Sequence, residues 1–162
     1  MRALTESERL ALLEVASILE VDPRMLAAEI EFESGWNPQA KNPLSSARGL
    51  IQFMNATARR MGYASSLDLV TQHPTAEAQL RGPVLAYLQP MAPFGDVAPC
   101  LPGQSLFLAV FYPRCRHAHP DRKFPGPVLA SNPGIVTPRD YVEHVWRRAG
   151  AIPCLTRATA PA

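Results

Sequence analysis

The sequence predicts a mainly α-helical single domain, and three observations predict it. Helix-start signals precede apolar-periodic segments at Thr5–Glu8, Asp22-Pro23 and Thr137-Pro138, and glycines stand where those or neighbouring segments should stop, at Gly35, Gly62 and Gly150. The chain of 162 residues is 47% hydrophobic and 19% charged, which suits one core and excludes a disordered chain. No internal repeat and no separating linker interrupts it, so residues 1–150 read as one domain and 151–162 as a frayed C-terminal tail.

Taken in order, Thr5-Glu6-Ser7-Glu8 has capping-box spacing, and Leu10, Leu13, Ala16 and Ile18 continue a first helix over 5–20. Asp22 is a cap with Pro23 at the first helical position, so a second helix runs to Ser34 and stops at Gly35. The Asn-, Pro- and Ser-rich residues 36–48 form a loop. Short helices are expected at 57–61 and 66–71. Thr75 caps a longer helical segment to Gln89, which Gly82-Pro83 should break or kink. The apolar run from Gln104 to Phe111 suits a buried helix or a buried strand equally. Of the 17 prolines, Pro113, Pro120, Pro125, Pro127 and Pro133 fall in 112–136, which reads as an extended, wrapping loop. Thr137-Pro138 caps the last helix and Gly150 closes it.

A net charge of +2 is mildly basic; it suits an anionic polymer and is too small to point to nucleic acid. No apolar run approaches the ~18 residues of a membrane span. Glu6, Glu8 and Glu14 interrupt the N-terminal apolar residues, so no signal peptide is expected and another component should carry the protein across a membrane. Cys100, Cys115 and Cys154 are odd in number and read as free thiols, with a Cys100–Cys115 bridge left open. Cys115, His117 and His119 have zinc-ligand chemistry but no usual zinc spacing, and read as a polar loop.

One carboxylate breaks the local rules. On the helix from Pro23 to Ser34, Leu26, Ile30 and Glu33 share a stripe, with Arg24, Ala28 and Glu31 on the opposite, solvent side. Glu33 therefore lies on the buried face, in the last turn where the helix dipole disfavours negative charge, one turn after a like charge at Glu29. Phe32 and Trp36 add apolar surface. Burial, dipole and like charge all favour protonated Glu33, the state that a general acid needs near neutral pH.

The surrounding residues carry a resemblance. Glu33-Ser34-Gly35-Trp36-Asn37-Pro38-Gln39-Ala40 resembles the Glu-Ser-x-(aromatic)-Asn-Pro-x-Ala signature of soluble-type lytic transglycosylases and related lysozyme-like proteins. Ser46-Ala47-Arg48-Gly49-Leu50-Ile51-Gln52-Phe53-Met54 resembles the family's Ala-x-Gly-Leu-x-Gln segment, with Thr57-Ala58 after it. Thr137-Pro138-Arg139-Asp140-Tyr141-Val142 is similar to a late Thr-x-x-Tyr-Val helix. The clear match covers residues 26–62. Asn42 stands where the family often has Ser, and the Asn42–Ala47 loop is one residue longer. The family's Ala-Tyr-Asn-Ala-Gly segment has no match; Ala109-Val110-Phe111-Tyr112-Pro113 is nearest, with Tyr112 in the tyrosine's place. The longer loop and divergent third motif resemble phage-encoded members.

The resemblance implies a lysozyme-like helical domain that cleaves peptidoglycan. It implies Glu33 as the single catalytic residue, acid and then base, cutting the β-1,4 bond between N-acetylmuramic acid and N-acetylglucosamine and leaving a 1,6-anhydro end. No recognisable second carboxylate is present, and no metal or cofactor is called for. Gln52 is the best candidate for holding sugar, with Asn42, Met54, Tyr112 and Tyr141 as further lining. The partners implied are glycan strands, met by a monomer at the cell wall, with a phage particle or secretion apparatus as carrier. The rivals are a muramidase that hydrolyses the same bond and a non-catalytic virion or wall-binding protein on the same fold.

Overall fold

The computed structural model describes residues 2–150. Its helices are α1 (Glu6–Ile18), α2 (Pro23–Ser34), α3 (Asn55–Arg60), α4 (Ser66–Gln72), α5 (Ala76–Gln79), α6 (Leu85–Leu88), α7 (Gln104–Phe111), α8 (Gly126–Ser131) and α9 (Pro138–Ala149). Among the described residues there is no strand, only two isolated bridges that join Lys41 to Arg48 and Arg48 to Phe53. The fold is mainly helical, as the capping pattern predicts; the expected tail from 151 lies outside the described residues.

The caps form as the sequence leads one to expect. Thr5 Oγ1 accepts from the Glu8 amide while the Glu8 carboxylate accepts from the Thr5 amide, which satisfies two orphan donors at the start of α1. Asp22 caps α2 through the Arg24 amide, and Gly35 ends it with φ of 58°, a left-handed conformation that glycine adopts without a Cβ clash. Thr137 and Asp140 form the capping box of α9. Gly82 leaves helical geometry (φ −97°, ψ −105°) inside a π-like turn that joins α5 to α6, because Pro83 has no amide to continue the ladder.

The core is built around α2, which packs against α1, α7 and α9. Leu12, Leu26, Ile30, Leu80, Phe107 and Val145 are fully buried there. This placement corrects one expectation. Ala28 is fully buried and Glu31 is 7% exposed, so only Arg24 of the supposed solvent face is open. An amphipathic stripe assumes a helix covered on one side, whereas α1 covers the second side of α2. Gln104–Phe111 resolves as a helix; its residues Gln104 to Ala109 are all buried between neighbours.

The proline-rich stretch 112–136 also differs from expectation. It wraps the surface, but Pro127 starts α8 instead of preventing helix, since proline is tolerated in a first turn. Phe124 anchors it with 3% exposure, edge-on to both Phe111 and Tyr112. Cys100 and Cys115 are free thiols, so the bridge left open by the sequence is not formed.

Candidate active site

A cavity of about 360 Å³ opens beside the C-terminal end of α2. One wall is Phe32 and Glu33 of α2 with Asn42, Ser45, Ala47, Ile51, Gln52 and Met54 of the long loop that follows. The other is Val110 and Phe111 of α7, Asn132 at the end of α8, Ile135, and Tyr141 of α9. Of the expected site residues, Glu33, Asn42, Gln52, Met54 and Tyr141 are brought together there. Tyr112 does not line the cavity. It is the residue after α7 with non-helical backbone (φ −151°, ψ 82°), so its ring turns onto Phe124, and Phe111 takes the lining position.

Glu33 is partly exposed, at the edge where α2 meets the cavity. Its Oε1 accepts a hydrogen bond from the Tyr141 hydroxyl at 2.8 Å. Burial pushes its pKa up from the usual carboxylate range to about 7, against the Tyr141 hydrogen bond, which pulls it down. Glu29, one turn earlier, is fully buried with Oε1 2.9 Å from the same hydroxyl. Burial raises its pKa well above the usual range and the Glu33 charge raises it further. The like-charge effect expected on Glu33 therefore appears on Glu29, the deeper of the two. Among the described residues, Glu33 is the sole ionisable carboxyl on the cavity lining.

Tyr141 is itself fully buried, and the ring is held on two sides. Phe111 stacks on it (centroids 4.2 Å, planes 17° apart) and Phe32 meets it edge-on at 5.3 Å. That clamp fixes the hydroxyl against the two carboxyls. Tyr141 thus reaches the site through Glu33 more than through open surface.

The loop after α2 is held in shape by its own polar side chains. Gln52 has a left-handed backbone (φ 53°), rare for a residue with a side chain, and its Nε2 donates to the Gly49 carbonyl at 3.0 Å. That bond stabilises the loop through the amide nitrogen and leaves the amide oxygen for the cavity. Asn42 Oδ1 accepts from the Leu44 amide at 2.9 Å, which leaves its amide donors for a ligand. Met54 is 45% exposed on the rim.

Beneath them, Gln79 of α5 is fully buried. Its oxygen accepts from the Leu50 amide at 2.9 Å, and its nitrogen donates to the carbonyls of Pro38 (2.7 Å) and His73 (2.9 Å). One side chain so ties the residues following Glu33 to the Gly49–Gln52 turn. Gly49 has φ of 82°, and a Cβ there would lie 2.7 Å from Gln79 Oε1, so the close approach needs glycine. A second tie joins Ser66 Oγ to the Ser46 carbonyl and Asn55 Oδ1 to the Ser66 amide. Sequence reading missed Gln79, Asn132 and Phe111; a polar residue at a buried helical position was the one available signal, and it exists for Gln79 alone.

Residues 12–84 match the family described as Transglycosylase SLT domain. The match includes Glu33, Asn42, Gln52 and Met54 and ends before Phe111, Asn132 and Tyr141. No solved structure matches the chain.

Proposed function

We propose that this chain, whose residues 12–84 match the transglycosylase SLT domain, is a lysozyme-like lytic transglycosylase that acts on peptidoglycan, and that Glu33 alone performs the chemistry, cutting the bond between N-acetylmuramic acid and N-acetylglucosamine to leave 1,6-anhydro-muramic ends. The observation that carries this reading is a single carboxyl on the cavity lining with its pKa near 7.

In the first half of the cycle, protonated Glu33 gives its proton to the bridging oxygen, and the bond from muramic C1 to that oxygen breaks. The electron pair leaves with the N-acetylglucosamine hydroxyl, and positive charge develops at C1. In the second half, Glu33 carboxylate takes the proton of the muramic 6-hydroxyl as O6 bonds to C1, which closes the anhydro ring and restores the acid. A pKa close to 7 suits both halves, because the group must lose and regain one proton at similar free energy. Gln52, Asn42, Asn132, Phe32 and Phe111 all line the cavity; in this reading the side-chain amides hold acetamido and hydroxyl groups, Asn132 chiefly through its oxygen because its nitrogen donates to the Val128 carbonyl, and the two rings receive sugar faces.

The muramidase rival needs a carboxylate or fixed water across the cavity from Glu33. The opposite wall presents Val110, Phe111, Asn132, Ile135 and Tyr141, none of them a carboxylate. Mass spectrometry of products from purified sacculi tests the reading directly. Anhydro-muropeptides are expected; products with reducing muramic ends transfer the assignment to a hydrolase.

The pH dependence follows from the same group. Glu33 must start protonated, so kcat/KM on soluble glycan strands should fall about tenfold per pH unit above its pKa of about 7. A rate that stays flat to about pH 9 means that Glu33 is not the acid.

The wall is the place of action this reading requires, reached with a phage particle or a secretion machine as carrier. Among the described residues no helix is long and apolar enough to cross a membrane.

A further inference from the structure

Glu29 is a buried carboxyl that the acid–base cycle leaves unused. It is fully buried on α2, and its Oε2 has no hydrogen-bond partner. Its Oε1 is 2.9 Å from Tyr141 Oη, which is 2.8 Å from Glu33 Oε1. A phenol carries one proton. It can donate to one of these oxygens and must accept from the other, so one of the two glutamates has to hold a proton against the hydroxyl.

The surroundings decide which one. Glu33 has an edge on the cavity, where water can solvate its charge, whereas Glu29 has none. Among the described residues, no cation of a packed element pairs with Glu29. On α1, Glu8 pairs with Arg2, Arg9 with Glu6, and Glu14 with Arg81. On α2, Arg24 pairs with Asp22. Helix α7 carries no titratable residue. On α9, Arg139 pairs with Asp121, the Asp140 carboxylate caps the helix, His144 bonds the Asp140 carbonyl, and Glu143, Arg147 and Arg148 are exposed.

We propose that Glu29 is a positioning residue whose carboxyl stays protonated through the cycle and donates to Tyr141 Oη, so that the Tyr141 proton always points to Glu33 Oε1 and the proton that Glu33 delivers resides on its other oxygen. This rests on Glu33 being the acid and base. A Glu33 protonated on Oε1 would aim its proton at Tyr141, away from substrate; the chain of donors from Glu29 forbids that state. When Glu33 ionises, its charge strengthens the hold of Glu29 on its own proton, so the two carboxyls do not exchange roles.

The infrared carbonyl band of a protonated carboxyl tests this without reference to activity. At about pH 8, where Glu33 and all ordinary carboxyls are ionised, the wild type and Glu33→Gln should each retain one such band, and Glu29→Gln should lack it. No band in the wild type, or a band that survives Glu29→Gln, overturns the proposal. Kinetics give the second readout. Gln keeps an N–H donor toward Tyr141, so Glu29→Gln should hold kcat/KM within about threefold and its falling alkaline limb within about 0.3 pH unit of wild type. If Glu29 were ionised, removing its charge would move that limb down by about one unit or more. Glu29→Met removes the donor at similar volume and should lower kcat about tenfold with KM within about twofold. A wild-type kcat for a folded Glu29→Met makes Glu29 a passive core group. Lysis by Glu33→Gln would sink the assignment of the acid, while the band would stand, so the two failures are separable.

Discussion

Glu33→Gln should abolish measurable lysis of purified sacculi while melting at or above the wild-type temperature. Gln keeps the shape and still accepts from Tyr141, but it cannot give up and recover a proton. General acid–base help is worth typically 10²–10⁴-fold, and here one group supplies both halves of the cycle, so the loss should lie at about 10⁴-fold or beyond. The stability clause depends on pH with a definite sign. The folded protein raises the Glu33 pKa from 4.5 to about 7, so it prefers the neutral carboxyl. As pH rises from about 4.5, the unfolded chain loses this proton first, and wild-type stability declines until about pH 7, where the folded group has also ionised. The full penalty is at most about 3 kcal/mol. Gln does not titrate, so its advantage should be near zero at about pH 4 and largest above about pH 7. Turbidity loss and thermal melts at both ends of that range check the two clauses. Clearing at the wild-type rate removes Glu33 from the chemistry. A variant that melts early at both pH values makes the residue structural.

The control for that experiment has to change with the structure. Glu31→Gln should be neutral on the sequence-based view of a solvent face, but Glu31 is buried, with 7% exposure. Glu143→Gln, exposed on α9, is the better control and should leave activity and melting unchanged.

Gln79→Leu should lower stability by about 3 kcal/mol or more, although the two side chains are close in shape. The variant leaves the Leu50 amide and the Pro38 and His73 carbonyls without their partner, and water has poor access to a fully buried position. For a domain of this size, each kcal/mol moves Tm by roughly 2–4 °C, so a drop of about 10 °C is expected. Activity should fall below the melting temperature too, because the residues after Glu33 and the Gly49–Gln52 turn lose their common tether. A Tm within about 2 °C of wild type would mean that Gln79 only fills space.

How much of this was readable beforehand depends on how local the cause is. The three capped helices were legible because a cap, its N3 partner and a terminal glycine lie within one or two turns of each other. Glu33 was legible for a related reason, since burial, dipole and signature residues all bear on one short segment. The choice between helix and strand for 104–111 was not, because a run buried on every side has no periodicity to show. The helix at 126–131 was missed because proline was read as a breaker where it acts as a first-turn residue.

The site divides along the same line. The wall formed by α2 and the loop to Met54 was present in the order of residues, since its parts are neighbours in the chain. The wall formed by Phe111, Asn132 and Tyr141 comes from segments that approach α2 only in the folded core, and nothing near each of them in sequence marks which side chain turns inward. Tyr112 and Phe111 differ by one position, and the end of α7 decides between them. Glu29 is the sharpest case. From sequence it was a charge beside Glu33, whereas packing by α1, α7 and α9 removes its water, and a hydroxyl 112 residues away becomes its hydrogen-bond partner. A residue's identity sets what it can donate or accept; only burial and the partner brought to it set whether it keeps its proton.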